Sequence, residues 1–152
     1  MKIGFLFPGQ GAQCVGMGKD FYAAYPSVKA YYDAFPYRDV CFEGPKEKLD
    51  DTFYTQSCLL VTSLSIAQAL KEEGIQADMA AGLSLGEYTA LTYAGVFSFS
   101  DAVHIVSKRG ELMANALEKG KTKMVAILGG DAQEIEQVCQ TVSTPTEICT
   151  IA

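Results

Sequence analysis

Ser84 stands in Gly82-Leu83-Ser84-Leu85-Gly86, a Gly-x-Ser-x-Gly pattern. In such a pattern a strand ends in a sharp turn and a helix begins. Glycines on either side leave room where side chains would collide, and the serine is pushed out at the tip of the turn. There it lies beside the N–H groups of a helix start, which favour nearby negative charge. The pattern is short and also arises in ordinary loops. Its context favours a nucleophile: Ile75 to Ala81 can supply the strand, and Leu85 to Ala94 reads as a helix closed by Gly95. A serine hydroxyl in that position accepts an acyl group once a base takes its proton.

Three further features bear on such chemistry. Phe7-Pro8-Gly9-Gln10-Gly11-Ala12-Gln13 follows the apolar run Lys2 to Phe7, which reads as a buried strand. The loop is either a set of backbone N–H groups open to an anion or oxyanion, or a plain turn. Arg109 lies in a helix expected over Asp101 to Glu118. At helical steps of about 100° it falls near the middle of a face shared by Ala102, Val103, Ile105, Val106, Gly110, Leu112, Met113, Ala116 and Leu117. A guanidinium there requires an anionic partner or a route to water. That partner is an internal carboxylate or a ligand carboxylate or phosphate held bidentately. His104 is the one histidine of the chain and the obvious candidate base. The same helical wheel sets it on the charged side, beside Glu111 and Asn115, as a surface residue, which leaves Ser84 without a visible base.

The elements that must position these residues follow from pattern. Asp20 to Phe35 has helical spacing, with Pro26 in its first turns or breaking it and Pro36 as its stop. From there through Asp51 the chain reads as loop with a short helix. Gln56 to Glu73, capped by Gly74, is the clearest buried helix, packed on several sides against a central sheet, and its role reads as structural. Met124 to Leu128 is expected as a strand. Asp131-Ala132-Gln133-Glu134 is a capping-box-like start to a helix reaching about Thr141, and Glu147 to Ala152 begins another strand. This divides the chain into residues 1–122, part of a core, and 123–152, the opening of a small subdomain. An apolar strand is an odd place for a natural terminus, so the chain reads as truncated.

Composition excludes several classes. A net charge of −6, a pI near 4.7 and the lack of Lys or Arg runs argue against a nucleic-acid surface. No apolar segment is long enough to span a bilayer. Cys14, Cys41, Cys58, Cys139 and Cys149 are odd in number, scattered and without metal-ligand spacing, and read as reduced thiols of a cytoplasmic protein.

Phe7-Pro8-Gly9-Gln10-Gly11-Ala12-Gln13, Gly82-Leu83-Ser84-Leu85-Gly86-Glu87-Tyr88 and Lys108-Arg109-Gly110 together resemble the three N-terminal signatures of the malonyl-CoA:acyl carrier protein transacylase family, in the family's order. The resemblance runs through all 152 residues and matches the N-terminal half of longer family members. It implies an α/β fold: an α/β-hydrolase-like core with a parallel sheet and nucleophile elbow, carrying an inserted ferredoxin-like subdomain. It implies Ser84 as the acyl-accepting nucleophile, Arg109 as the holder of the malonyl carboxylate, and the backbone N–H groups of Gln10 and Leu85 as the oxyanion hole. The partners implied are malonyl-CoA and the phosphopantetheine thiol of acyl carrier protein. No metal or redox cofactor is implied, coenzyme A being the carrier of the donor. Leu83 departs from the family, which usually has histidine there, although that histidine is not its general base. The base and a further glutamine lie in the family's second half, so a further segment or a second chain is expected to complete the site, and residues 1–152 alone are expected to be inactive. Two alternatives stand beside fatty-acid synthesis: a stand-alone acyltransferase of a polyketide synthase, and a non-catalytic carrier-protein-binding fragment. A generic serine esterase leaves Arg109 as an unexplained buried charge.

Overall fold

The computed structural model describes residues 2–116 and 121–151. The apolar N-terminal run forms strand β1 (Gly4–Phe7). Four short helices follow, α1 (Lys19–Ala24), α2 (Pro26–Asp33), α3 (Arg38–Glu43) and α4 (Lys46–Leu49). The chain continues through the long helix α5 (Thr52–Glu72), strand β2 (Met79–Gly82) and helices α6 (Leu85–Tyr93), α7 (Phe99–Asn115) and α8 (Ala132–Val142). Two compact units result, Met1–Leu117 and Glu118–Ala152.

In the first unit β1 and β2 pair in parallel, Gly4 opposite Met79 and Phe7 opposite Gly82. Parallel neighbours cannot be joined by a tight turn, and the crossover here is the whole α1–α5 segment. The α/β architecture with parallel strands is the one expected. Asp78 fastens the start of the pair: its carboxylate accepts from the Ile3 N–H at 2.9 Å and from Lys2 Nζ at 3.2 Å.

Helix α5 is the axis of this unit. The Asp51 side chain caps it, accepting from the Phe53 N–H at 3.0 Å, so it begins four residues before the expected Gln56. It touches α1, α2, α3, α4, α6 and α7. Thr55 through Thr62 are buried without a break, the mark of a helix enclosed on all sides. Val28, Tyr32, Leu49, Leu85 and Val106 pack around it against its own Leu60 and Val61.

The expected helix over Asp20 to Phe35 is two helices. Pro26 has no N–H to donate and its ring crowds the preceding turn, so α1 ends and Pro26 opens α2. Tyr25 between them is extended, as a residue before proline must be (φ −118°, ψ 114°). The stretch expected as loop with a short helix holds two, α3 and α4. The strand expected over Ile75 to Ala81 starts later and ends one residue further, at Met79–Gly82.

Helix α7 starts at Phe99, capped by the Ser98 hydroxyl, which accepts from the Asp101 N–H at 3.1 Å. Its buried stripe, Ala102, Val106 and Gly110, is narrower than the face expected for it. Leu112 is 61% exposed and Met113 49%. A single i, i+4, i+8 row is fully buried, and the residues beside it are only partly covered or exposed. Leu117 and Glu118, included in the expected helix, lie outside the described residues.

In the second unit the Asp131 carboxylate caps α8, accepting from the N–H groups of Gln133 and Glu134 at 2.8 and 3.1 Å, as its sequence anticipates. The two strands expected on either side of it are not formed among the described residues, and Ala152 lies outside them. A strand needs a ladder partner, and residues 124–128 and 147–151 have none there. Their side chains stand open, Leu128 at 94% and Ile148 at 82% exposure. All five cysteines carry free thiols. Scattered in sequence, Cys139 and Cys149 are neighbours in space, with their Sγ atoms 3.5 Å apart.

The Asp78 clamp makes the β1–β2 pair acid-sensitive. The Ile3 N–H and then the Lys2 ammonium hold the Asp78 carboxyl below the ordinary carboxylate range. A depressed carboxyl contributes stability above its unfolded pKa of about 3.9, and that contribution is lost as pH falls through the lower folded value. Urea midpoints at neutral pH and at a pH of about 3 should therefore converge in Asp78→Asn relative to the parent chain. An undiminished acid-dependent difference in the variant would assign the sensitivity to other carboxylates.

Candidate active site

Ser84 is the residue where β2 becomes α6, and its backbone is held at φ 53° and ψ −107°. Among the described residues it is the only non-glycine with positive φ. A serine in that region is strained by about 1–3 kcal/mol and needs its surroundings to enforce it. Three backbone contacts do so. The Leu83 N–H donates to the Phe7 carbonyl at 3.1 Å, carrying the turn across the end of β1. A Cβ at Gly82 would lie 1.9 Å from the Gly86 carbonyl, and one at Gly86 2.1 Å from the Phe7 carbonyl oxygen. The two glycines of the pattern are thus required by contact with each other and with β1, not by chain flexibility.

The Ser84 hydroxyl does not fold back to cap α6, which is the usual behaviour of serine at a helix start. It accepts instead from Arg109 Nη2 of α7 at 2.9 Å. The second Nη of Arg109 donates to the Gln56 amide oxygen on α5, and its guanidinium carbon lies 5.6 Å from the centre of the Tyr88 ring on α6. Among the described residues no ion pair involves Arg109. Of the two partners open to it on sequence grounds, an internal carboxylate is therefore not the one found there. The guanidinium remains a cation aimed at the elbow.

Gln10 follows Gly9, whose Cβ position lies 2.9 Å from the Leu83 carbonyl oxygen, so the glycine loop runs against the elbow. The loop is tied to the start of α5 by Gln10 Nε2, which donates to Thr52 Oγ1 at 3.1 Å. Gln13 Nε2 donates to Asp50 Oδ1 at 2.9 Å, and Gln13 Oε1 accepts from the Gly11 N–H. Leu85 is the first residue of α6, buried, with an N–H that has no carbonyl one turn back to bond. Ser84, Arg109 and the Gly9–Gln10 loop therefore converge, with Leu85 next to the serine. His104 does not join them. It is exposed on α7 and lies roughly 140° around the helix from Arg109. Leu83 is 75% exposed; its backbone, not its side chain, is built into the turn.

Gln56 and Tyr88 are the members that sequence reading missed. The Gln56 helix reads as purely structural, yet Thr55, Gln56 and Ser57 form a polar run that is at most 1% exposed inside a buried helix. Such a run demands partners, and that demand was the available signal. Gly110 explains how the partners meet: a Cβ there would lie 2.9 Å from the Thr52 carbonyl oxygen, so only glycine lets α7 come close enough to α5.

The arrangement suits attack by Ser84 on a carbonyl with a negatively charged group held by Arg109. Among the described residues no cluster of three or more His, Cys, Asp or Glu side chains is placed to hold a metal ion, and no helix is long and apolar enough to cross a membrane.

Residues 4–146 match the family model described as the acyl transferase domain. The malonyl CoA-acyl carrier protein transacylase of Bacillus subtilis is 44% identical over 157 aligned positions, covering 99% of this chain and 50% of that protein. An acyl-carrier-protein-S-malonyltransferase from Bartonella henselae superposes with a TM-score of 0.92 at 32% identity, covering 100% of this chain and 51% of that one. A type II PKS acyl-carrier protein in complex with its malonyl-transacylase gives 0.82 at 34% identity, covering 93% and 48%. The chain spans about half the length of the relatives it matches.

The elbow contacts carry a direct test. Gly86→Ala places a methyl group 2.1 Å from the Phe7 carbonyl oxygen, so β1 and α6 must separate. It should cost about 1–3 kcal/mol in urea unfolding, as overpacking does. Gly4→Ala, whose Cβ meets only Met79 Cγ at 3.4 Å and Sδ at 3.9 Å, ordinary contact distances, should stay within about 1 kcal/mol of the parent. Equal effects at the two positions would show that the elbow is not held by this contact.

Proposed function

The chain belongs to the acyl transferase domain family, and from that premise we propose that it carries the acyl-binding half-site of a malonyl-CoA:acyl carrier protein transacylase of fatty-acid synthesis. The observation that carries the reading is the guanidinium of Arg109, without a carboxylate partner among the described residues, set 2.9 Å from the hydroxyl of a strained elbow serine.

In this reading Ser84 Oγ attacks the thioester carbonyl of malonyl-CoA. The tetrahedral oxyanion is met by the N–H groups of Gln10 and Leu85, donors typically worth about 2.7–4 kcal/mol each. The carbon–sulfur bond breaks, coenzyme A leaves as its thiol, and a malonyl ester remains on Ser84. The phosphopantetheine thiol of acyl carrier protein then attacks the ester, and the serine oxygen leaves with a proton. The two half-reactions give ping-pong kinetics. Arg109 turns from Ser84 to the malonyl carboxylate, a bidentate partner that acetyl lacks. The serine proton needs a base, and His104, turned away on α7, is not it. The base comes from beyond residues 1–152, from a further segment or a second chain, so these residues do not turn over alone. Coenzyme A is a substrate's carrier, and no cofactor is required. Residues 123–152 open the small ferredoxin-like subdomain of the fold, and the reaction belongs to the cytoplasm.

A second reading, a stand-alone acyltransferase loading a polyketide synthase, is favoured by the likeness to the type II PKS complex. Transfer rates to carrier proteins of the two pathways separate it from the first.

Exposure of the complete natural protein to malonyl-CoA should give a malonyl adduct on Ser84 by intact-mass and peptide mapping. Ser84→Ala should abolish it, and an adduct surviving that substitution would sink the nucleophile assignment. Arg109→Ala should reduce malonyl transfer by about 2–5 kcal/mol in transition-state binding, while acetyl transfer changes far less. Equal losses for the two acyl groups would make Arg109 structural.

A further inference from the structure

We propose that Gln56 is the positioning residue that aims Arg109, and through it sets the preference for a carboxylate-bearing acyl group. The inference rests on the transacylase reading and adds a residue on α5 to it.

Arginine ends in a planar fork on a flexible stem, and its value for recognising a carboxylate depends on the orientation of that fork. Here the fork is gripped on three sides. Gln56 Oε1 accepts from one Nη, Tyr88 lies beside the guanidinium carbon, and the remaining Nη is left to face Ser84. The grip at Gln56 is rigid because the glutamine is itself fixed. It is 1% exposed on the most enclosed helix, and its Nε2 is directed to Met113 Sδ at 3.0 Å, one turn beyond Arg109 on α7. The amide thus spans two residues of α7, and Gly110 between them brings that helix down onto α5.

Glutamine is also the neutral choice. A glutamate at position 56 would offer Arg109 the same reach with a full negative charge and would compete with the substrate carboxylate. A carboxamide orients the guanidinium and leaves its charge for the ligand.

The experiment measures the KM for malonyl-CoA and the inhibition constant of acetyl-CoA as competitor, in the complete natural protein, for Gln56→Leu, Gln56→Glu and Arg109→Ala. Gln56→Leu should weaken malonyl-CoA by about 10- to 100-fold, mostly in KM, since a hydrogen bond to a charged group is lost. Acetyl-CoA should change far less. Gln56→Glu should produce the same discrimination by neutralising Arg109, and it decides the matter if the leucine variant does not fold. Arg109→Ala is the reference. If it shifts malonyl-CoA selectively and neither Gln56 variant does, Gln56 is not the positioning residue. Parallel weakening of both ligands in the Gln56 variants likewise reduces it to packing. If Arg109→Ala is itself unselective, the carboxylate reading fails and this inference with it.

Discussion

The site depends on one steric constraint: two glycines at the elbow let the turn after β2 lie directly on the end of β1. Gly86 against the Phe7 carbonyl and Gly82 against Gly86 leave no space for a methyl group at either position. With the turn pressed there, the Leu83 N–H reaches Phe7 and Ser84 is driven to positive φ. The strain has a chemical consequence. A relaxed serine at a helix start turns its oxygen inward to cap the first turn, whereas Ser84 presents it outward to Arg109. Backbone packing thus keeps the hydroxyl away from the helix amides and available to another group.

A second glycine contact places the charge. Gly110 rests on the Thr52 and Phe53 carbonyls at the first turn of α5. Helix α5 is held from all sides, so α7 is pinned to a fixed reference and its preceding residue, Arg109, inherits that position. The glycine loop is tied to the same place through Gln10 and Thr52. The elbow serine, the cation and the loop are therefore all referred to the N-terminal turns of one buried helix, which is the rigid support that such constellations require.

Much of this was legible in the chain because the constraints are local. Gly82-x-Ser84-x-Gly86 records its turn in its own spacing, and Asp131 and Glu134 record a helix start in theirs. Pro26 is legible as a disturbance, but whether it breaks a helix or opens one depends on its neighbours. The partnership of Gln56 with Arg109 spans 53 positions and leaves no local pattern. What the chain does show is a polar run inside an apolar helix, a demand without an address. The runs at 124–128 and 147–151 illustrate the reverse case. Their apolar, β-branched composition is that of strands, but a strand exists only with a partner to take its N–H and C=O groups.

The charge at the elbow also separates two tasks that serine acyl transfer must combine. A guanidinium never gives up its proton near neutrality, so Arg109 cannot take the one on Ser84. Donated to Oγ, its N–H occupies one of the two lone pairs of the hydroxyl oxygen. The resting contact therefore holds the serine oxygen in place. In the proposed reading a carboxylate ligand offers Arg109 a stronger, bidentate partner, and its arrival releases that lone pair. Selection by charge and exposure of the serine are on that proposal one event. The residues that the proposal assigns to it, Ser84, Arg109 and Gln56, come from the β2–α6 turn, α7 and α5, whose mutual packing is set by glycine contacts. Proton transfer obeys a different requirement, a base within reach of the hydroxyl. His104, the one histidine of the chain, is exposed on α7, turned away from the face that carries Arg109, where the same packing that aims Arg109 inward turns it out.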